Sequence, residues 1–195
     1  MTYLLVTNDD GVQAPGILAL AQAMREIGEV NVAAPTVNQS ATGHKKTLFQ
    51  DIPVADAKMA DDYPALAING SPADCIALAS LGLCKWPPDL VVSGINRGAN
   101  MGQDVTQSGT VSAALEATIH GVPAVAFSLD NHNADDPADY ATAARIAQIV
   151  VRNLLQKTLP PFTVLNVNIP NTDDIQGLRV TRQGIRIYLD ELYKN

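Results

Sequence analysis

Short apolar runs alternate with longer amphipathic segments along this chain, and the two patterns predict different elements. A short apolar run that ends in polar residues, glycine or proline is typical of a buried strand. Such runs predict strands at residues 4–7, 30–34, 89–93, 123–128 and 164–167. Apolar positions three and four residues apart, with proline near the start of several segments, predict helices at residues 15–27, 72–81, 110–120 and 139–155.

The alternation of strands and helices predicts a single α/β domain over residues 1–195, with a mostly parallel, doubly wound, Rossmann-like sheet flanked by helices. Residues 47–68 are only weakly periodic and predict short strand-like pieces around a turn at Asp61 and Asp62. The tail at residues 178–188 predicts two further short strands. Residues 178–195 are interpreted as the start of a C-terminal extension.

Composition and charge limit the kinds of binding partner that this chain can have. Hydrophobic residues make up 47% of the chain and the formal net charge is −7, so a sizeable core is expected under an acidic surface. An acidic surface argues against binding nucleic-acid polymers or anionic membranes. With no leader-like N-terminus, no long apolar run and only two cysteines, Cys75 and Cys84, we expect a cytoplasmic protein with reduced thiols.

Two adjacent carboxylates, Asp9 and Asp10, follow the first predicted strand. In open α/β sheets the carboxyl ends of the strands line the ligand crevice, where paired carboxylates repel unless a cation or a proton lies between them. Gly11 allows the chain to turn so that both side chains can reach one ion. The alternative is an ordinary solvated turn, since Asn-Asp-Asp-Gly is common turn chemistry.

Two further polar segments also follow predicted strand ends. Ser40 lies in the loop after the second strand, and Asn96 lies after the third major strand. In a parallel sheet these residues gather with Asp9 and Asp10 at one edge. Two carboxylates, a hydroxyl and an amide oxygen form an all-oxygen set, which suits Mg²⁺, Mn²⁺ or Ca²⁺ better than Zn²⁺ or copper.

A glycine-rich loop is predicted over residues 94–109, and it leads into a helix through Ser108, Gly109 and Thr110. The N-terminus of a helix offers free backbone N–H groups and a positive dipole end, which favours a phosphate there. The alternative is a plain serine N-cap. Neither the three histidines nor Ser108 fits a catalytic triad. Lys45, Lys46 and Arg97 flank the proposed site and are interpreted as phosphate-steering groups, and for the two lysines a solvated charge pair is the alternative.

These segments together resemble the SurE family of survival-protein nucleotidases. The resemblance covers nearly the whole chain, through LLVTNDDG, Asn38-Gln39-Ser40, INGSPADC, VVSGINRGANMGQDVTQSGTVSAALEA and TRQG. It implies that one divalent ion per subunit, Mg²⁺ or Mn²⁺, is held by a set of four residues, Asp9, Asp10, Ser40 and Asn96. It also links the helix start at Ser108, Gly109 and Thr110 with phosphate, and we place Asn100 beside them.

The resemblance predicts a metal-dependent phosphomonoesterase that converts nucleoside monophosphates to nucleoside and phosphate, with Asp9 or Asp10 as the base for the attacking water. The expected class is 5'-nucleotidase, with 3'-nucleotidase and exopolyphosphatase activity as possible additions. Two alternatives stay open, a non-catalytic nucleotide-binding module and an aspartyl-phosphate phosphatase. The family also implies a homodimer or homotetramer, although this chain is shorter than family members usually are.

Overall fold

The computed structural model describes residues 1–157, 159–189 and 193. Within them seven strands form one sheet: β1 (Tyr3–Thr7), β2 (Glu29–Pro35), β3 (Val54–Lys58), β4 (Pro64–Ile68), β5 (Leu90–Arg97), β6 (Ala124–Asp130) and β7 (Val164–Pro170). Their order across the sheet is β3-β4-β2-β1-β5-β6-β7. All neighbouring pairs are parallel except β3 and β4, so the predicted mostly parallel sheet is confirmed.

In the described residues, four α-helices connect the strands: α1 (Pro15–Arg25), α2 (Pro72–Leu78), α3 (Gly109–Ile119) and α4 (Ala141–Leu154). The predicted start of α2 is confirmed, since the Ser71 side chain accepts from the backbone N–H of Asp74 while the Asp74 carboxylate accepts from that of Ser71. Shorter helical turns lie at Ala79–Leu83, Gly102–Thr106 and Pro137–Tyr140. In the described part of the chain, no helix is long and apolar enough to cross a membrane.

The core lies on both faces of the sheet, as strands with continuous apolar runs require. Alternate residues of β1 divide between the two faces: Leu4 and Val6 join the apolar cluster under α1 and α4, and Leu5 joins the cluster under α2 and α3. Because both faces of the central strands are covered, the open part of the sheet is its C-terminal edge. Polar residues that follow β1, β2 and β5 meet there.

The structure differs from the sequence prediction in two segments. The strand predicted to end at Ser93 continues to Arg97, because Asn96 and Arg97 pair with Ser128 and Leu129 of β6 after a register shift. The loop predicted over residues 94–109 is therefore shorter, and it contains the helical turn Gly102–Thr106. The two short strands predicted at residues 178–188 are not formed, and the described tail bonds instead to that helical turn.

Candidate active site

The turn after β1 is built by Asn8 and Gly11. The side chain of Asn8 donates to the backbone carbonyl of Gly11 at 2.9 Å and accepts from its N–H at 3.2 Å. Gly11 has a φ of +105°, a backbone conformation that side chains other than glycine rarely adopt. The sharp turn predicted from the sequence is thus present, and it directs Asp9 and Asp10 into one cleft.

Asp9 is a buried carboxylate with few partners for its charge. It is 3% exposed, and its Oδ1 accepts a hydrogen bond of 2.5 Å from the hydroxyl of Thr110. Burial, together with the neighbouring Asp10, raises the pKa of Asp9 to about 6, although the donors of Thr110 oppose the shift. A buried carboxylate beside a second one is the arrangement that a bound cation relieves.

Asp10 is held by backbone and side-chain amides. Its Oδ2 accepts from the backbone N–H of Arg97 at 3.1 Å, and its Oδ1 accepts from Asn38 Nδ2 at 3.3 Å. Burial raises the pKa of Asp10, and the hydrogen bond and charge of Arg97 act against it. These contacts tie the ends of β1, β2 and β5 together around one carboxylate.

Ser40 reaches the cleft through the loop that follows β2. The backbone N–H of Gln39 donates to the carbonyl of Asp9 at 2.7 Å, and that of Ser40 donates to Asn38 Oδ1 at 2.8 Å. The Ser40 side chain is exposed and lines the cleft with the two aspartates. The loop geometry therefore places a hydroxyl where the sequence predicted one.

The far end of this loop is anchored to α3 by a buried ionic cluster. Glu116 is 1% exposed and accepts from Lys46 Nζ at 2.6 Å, His44 Nε2 at 2.8 Å and His120 Nε2 at 3.1 Å. Burial raises the pKa of Glu116, but the donors of Lys46 and His44 outweigh it and hold the pKa below its usual value. Lys46 thus has a buried structural partner, which neither sequence interpretation anticipated.

Asn96 lies near the end of β5 with its amide nitrogen already engaged. Its Nδ2 donates to the backbone carbonyl of Gly98 at 2.8 Å, and the residue is half-buried at the cleft. This contact fixes the amide and leaves Oδ1 as the atom for a cation. The arrangement suits the neutral oxygen ligand that the resemblance implies for Asn96.

Asn100 is fixed by three polar side chains of the last two strands. Its backbone N–H donates to Asn168 Oδ1 at 2.7 Å, and its carbonyl accepts from Asn166 Nδ2 at 2.8 Å and Asn168 Nδ2 at 3.1 Å. Its own Nδ2 donates to Ser128 Oγ at 2.8 Å. Asn166 and Asn168 carried no local signal in the sequence, because their role depends on a partner more than sixty residues away.

At the start of α3, Ser108 lines the cleft, whereas Gly109 and Thr110 contact Asp9. The Ser108 hydroxyl accepts from the backbone N–H of Val111 at 3.1 Å as an N-cap, and Ser108 also lines the cleft. Gly109 lies against Asp9: a Cβ there would come within 2.7 Å of Asp9 Cβ. Both the hydroxyl and the backbone N–H of Thr110 serve Asp9, so these two residues support the carboxylate from behind.

The structure thus brings most of the predicted site residues to one cleft of about 620 Å³, within the range of small-molecule sites. The predicted residues lining it are Asp9, Asp10, Ser40, Asn96, Asn100 and Ser108. Among the other lining residues, Arg97 was expected to flank the site, whereas His132 and Tyr188 were not predicted to lie there. His132 follows the end of β6, so the rule that placed Ser40 and Asn96 at the sheet edge could have found it.

The donor set fits a hard divalent cation. The described residues hold no cluster of three or more His, Cys, Asp or Glu side chains placed to bind a metal, so a site here must include hydroxyl or amide ligands. The set instead consists of the carboxylates of Asp9 and Asp10, the hydroxyl of Ser40 and the amide oxygen of Asn96. All are oxygen ligands, and the charge of buried Asp9 lacks a cationic partner among the described residues.

Comparisons with known proteins agree with this geometry. Residues 4–190 match the family described as "Survival protein SurE". A "5'-nucleotidase SurE" from Chloroflexus aggregans is 48% identical over 97% of this chain and 76% of its own length, and one from Herpetosiphon aurantiacus is 46% identical over 98% and 75%. The crystal structure of the SurE protein from Aquifex aeolicus superposes with a TM-score of 0.82 at 41% identity, covering 94% of this chain and 73% of its own. This chain belongs to the SurE family.

Proposed function

We propose that this chain is a metal-dependent 5'-nucleotidase that hydrolyses nucleoside monophosphates to nucleoside and phosphate. The observation that carries the proposal is the meeting of Asp9 and Asp10 with Ser108 in one cleft, which brings two carboxylates next to the start of a helix. Carboxylates hold a cation, and a helix start favours an anion. A phosphomonoester needs both.

Asp9, Asp10, Ser40 and Asn96 would hold one divalent ion, with Mg²⁺ or Mn²⁺ as the best match to their oxygen ligands. When bound, such an ion polarises a phosphoryl oxygen and lowers the pKa of water. The chain itself supplies the orientation of that group, because Thr110 fixes Asp9, Arg97 fixes Asp10 and Gly98 fixes Asn96.

The phosphate would lie against Ser108, the N-cap of α3, and against Asn100, both of which line the cleft. The Ser108 hydroxyl and the positive end of the helix dipole there attract phosphate oxygens locally, which an acidic chain with a net charge of −7 needs. One carboxylate of the Asp9–Asp10 pair accepts the proton of the attacking water.

Two other functions are less well supported. An aspartyl-phosphate phosphatase would need a carboxylate free to attack, whereas Asp9 is buried against Thr110 and Asp10 is held by two amides. A binding module without catalysis would give no reason for paired buried carboxylates beside a phosphate site. Relatives named 5'-nucleotidase also favour catalysis.

A substrate panel on the purified full chain tests the proposal. Phosphate release from 5'-AMP, 3'-AMP and p-nitrophenyl phosphate is measured after chelation and again after Mn²⁺ or Mg²⁺ is added. We expect turnover only with metal, loss of turnover in Asp10→Asn, and retention in Asp62→Asn, an exposed aspartate at the β3–β4 turn. Binding of AMP without turnover under every metal condition would support the binding module instead.

The domain boundaries, location and assembly of the chain belong to the same proposal. We infer one domain with an extension beginning near residue 178, and a cytoplasmic location, which the buried free thiols of Cys75 and Cys84 support.

We infer a homodimer or homotetramer, because the tail exposes apolar side chains at Ile185, Ile187 and Leu189. Light scattering of the purified chain measures the assembly, and a monomer would contradict it.

A further inference from the structure

The described tail packs closely on the helical turn Gly102–Thr106. Gln183 Nε2 donates to the carbonyl of Gly102 at 2.8 Å, and the backbone N–H of Arg186 donates to Gln103 Oε1 at 2.7 Å. A Cβ on Gly102 would lie 3.0 Å from the Arg186 nitrogen, so glycine is needed for this approach. The tail is therefore fitted to this turn by specific contacts.

Asp104 then fixes Tyr188, an aromatic residue of the same tail. Its Oδ2 accepts from the Tyr188 hydroxyl at 2.6 Å and from Arg186 Nη1 at 2.9 Å. The Arg186 guanidinium lies 5.0 Å from the centroid of the Tyr188 ring. Although Tyr188 is 55% exposed, its ring is thus held in one place at the wall of the cleft.

The walls of the cleft have two different chemistries. Asp9, Asp10 and Asn96 form the end where a cation and a phosphate would meet. His132 belongs to that end, since its ring packs on Gly98, whose carbonyl holds Asn96. The remaining wall, which the tail and the helical turn provide, has Tyr188 as its aromatic side chain.

We propose that Tyr188 is the residue that contacts the nucleobase of the substrate. With the phosphate at the carboxylate end, the rest of a nucleotide lies along the other walls of the cleft. A fixed tyrosine ring offers a flat surface on which any nucleobase can stack, with little dependence on base identity. The proposal rests on the nucleotidase function argued above, and it assigns to the tail a part of the substrate site.

Inhibition by the two reaction products tests the two ends of the cleft independently. Hydrolysis of p-nitrophenyl phosphate by the full chain with Mn²⁺ is measured with increasing adenosine in one series and with increasing inorganic phosphate in another, and each series gives an inhibition constant. Stacking of one base on an aromatic ring contributes about 1–3 kcal/mol, so Tyr188→Leu should raise the inhibition constant of adenosine by about fivefold or more. The inhibition constant of phosphate should stay unchanged.

Two matched variants show that the ring itself is responsible. The Tyr188→Phe variant keeps the aromatic face, so adenosine should inhibit it nearly as strongly as it inhibits the wild-type enzyme. Val180→Ala changes a fully exposed side chain of the same tail, which does not line the cleft, and should leave both constants unchanged. A Tyr188→Leu variant with unchanged adenosine inhibition, or a wild-type enzyme that adenosine does not inhibit, would overturn the proposal. Absence of any phosphomonoester hydrolysis would instead refute the nucleotidase function.

Discussion

The hydroxyl of Thr110 donates a hydrogen bond of 2.5 Å to Oδ1 of Asp9, across a separation of 101 residues in the chain. This contact joins the first turn of α3 to the end of β1. It means that the positive end of a helix lies behind a buried carboxylate, where it favours the charged form. The helix start thus serves the proposed metal site as well as the proposed phosphate site.

Replacing Thr110 tests this link directly. Thr110→Val keeps the shape of the side chain but removes the donor, so Asp9 loses its fixed orientation. Loss of a group that orients a metal ligand costs roughly 10- to 100-fold in metal affinity or activity. We expect that loss in the value of kcat/KM and in Mn²⁺ affinity, whereas Thr110→Ser should stay near wild type. Equal values for the two variants would show that the hydrogen bond is not needed.

Asn96→Ala should weaken metal binding more than it lowers stability. The substitution removes the oxygen proposed as a neutral ligand, and loss of a ligand should cost at least the roughly 10-fold that an orienting group costs. Calorimetric titration with Mn²⁺ measures the affinity, and thermal unfolding without metal measures stability. Asn133→Ala, at an exposed position after β6, is the control. Unchanged Mn²⁺ affinity in Asn96→Ala would remove this residue from the site.

Gly109→Ala should reduce activity through Asp9. The added Cβ would lie 2.7 Å from Asp9 Cβ and 3.0 Å from Pro72 Cγ, so the carboxylate must move. Repacking of this kind costs about 1–3 kcal/mol, and we expect it to appear as a lower melting temperature and weaker Mn²⁺ binding. Gly184→Ala adds a Cβ where nothing lies within 4 Å and should be silent. Normal Mn²⁺ binding by Gly109→Ala would contradict the close packing.

The raised pKa of Asp9 predicts how pH affects the metal-free protein. Since folding raises the pKa from 3.8 to about 6, the folded state binds the proton more tightly, and stability from this group falls as pH rises between those values. The difference amounts to about 3 kcal/mol for a shift of this size. Asp9→Asn should therefore gain stability relative to wild type between pH 4 and about pH 6, and level off above.

Thermal unfolding of chelated wild type and Asp9→Asn across this pH range measures the difference. Comparing the two proteins at each pH cancels titrating groups remote from Asp9, such as Asp74 and Glu116, whose lowered pKa values act in the opposite direction. A constant difference across the range would mean that Asp9 does not titrate there. Added Mn²⁺ should raise the melting temperature of wild type more at pH 7.5 than at pH 5, because protons compete for Asp9.

Much of this molecule was predictable because its signals are local. Apolar runs identified the central strands, Ser71 and Pro72 identified the start of α2, and the parallel sheet brought Asp9, Ser40 and Asn96 to one edge. The fold, the family and the enzyme class predicted from the sequence are confirmed by the comparisons. The metal, its ligands and the phosphate contacts stay predictions.

The remaining features depend on contacts between distant segments. The end of β5 was missed because its last residues are polar and are held by pairing with Ser128 and Leu129. Asn166 and Asn168 form hydrogen bonds with Asn100, and Asp104 forms one with Tyr188. Each of these contacts joins segments more than sixty residues apart. The hydrophobic pattern of a single segment carries no information on such pairs.

The measurement that tests the central claim most directly is a Mn²⁺ titration of the full chain after its metal has been removed with a chelator. Calorimetry measures Mn²⁺ binding, and phosphate release from 5'-AMP measures activity in the same samples. A single Mn²⁺ should bind per subunit, activity should rise in step with occupancy, and Asp10→Asn should neither bind the ion tightly nor turn over. Phosphate release at the full rate without metal, or wild-type Mn²⁺ affinity in Asp10→Asn, would contradict the account.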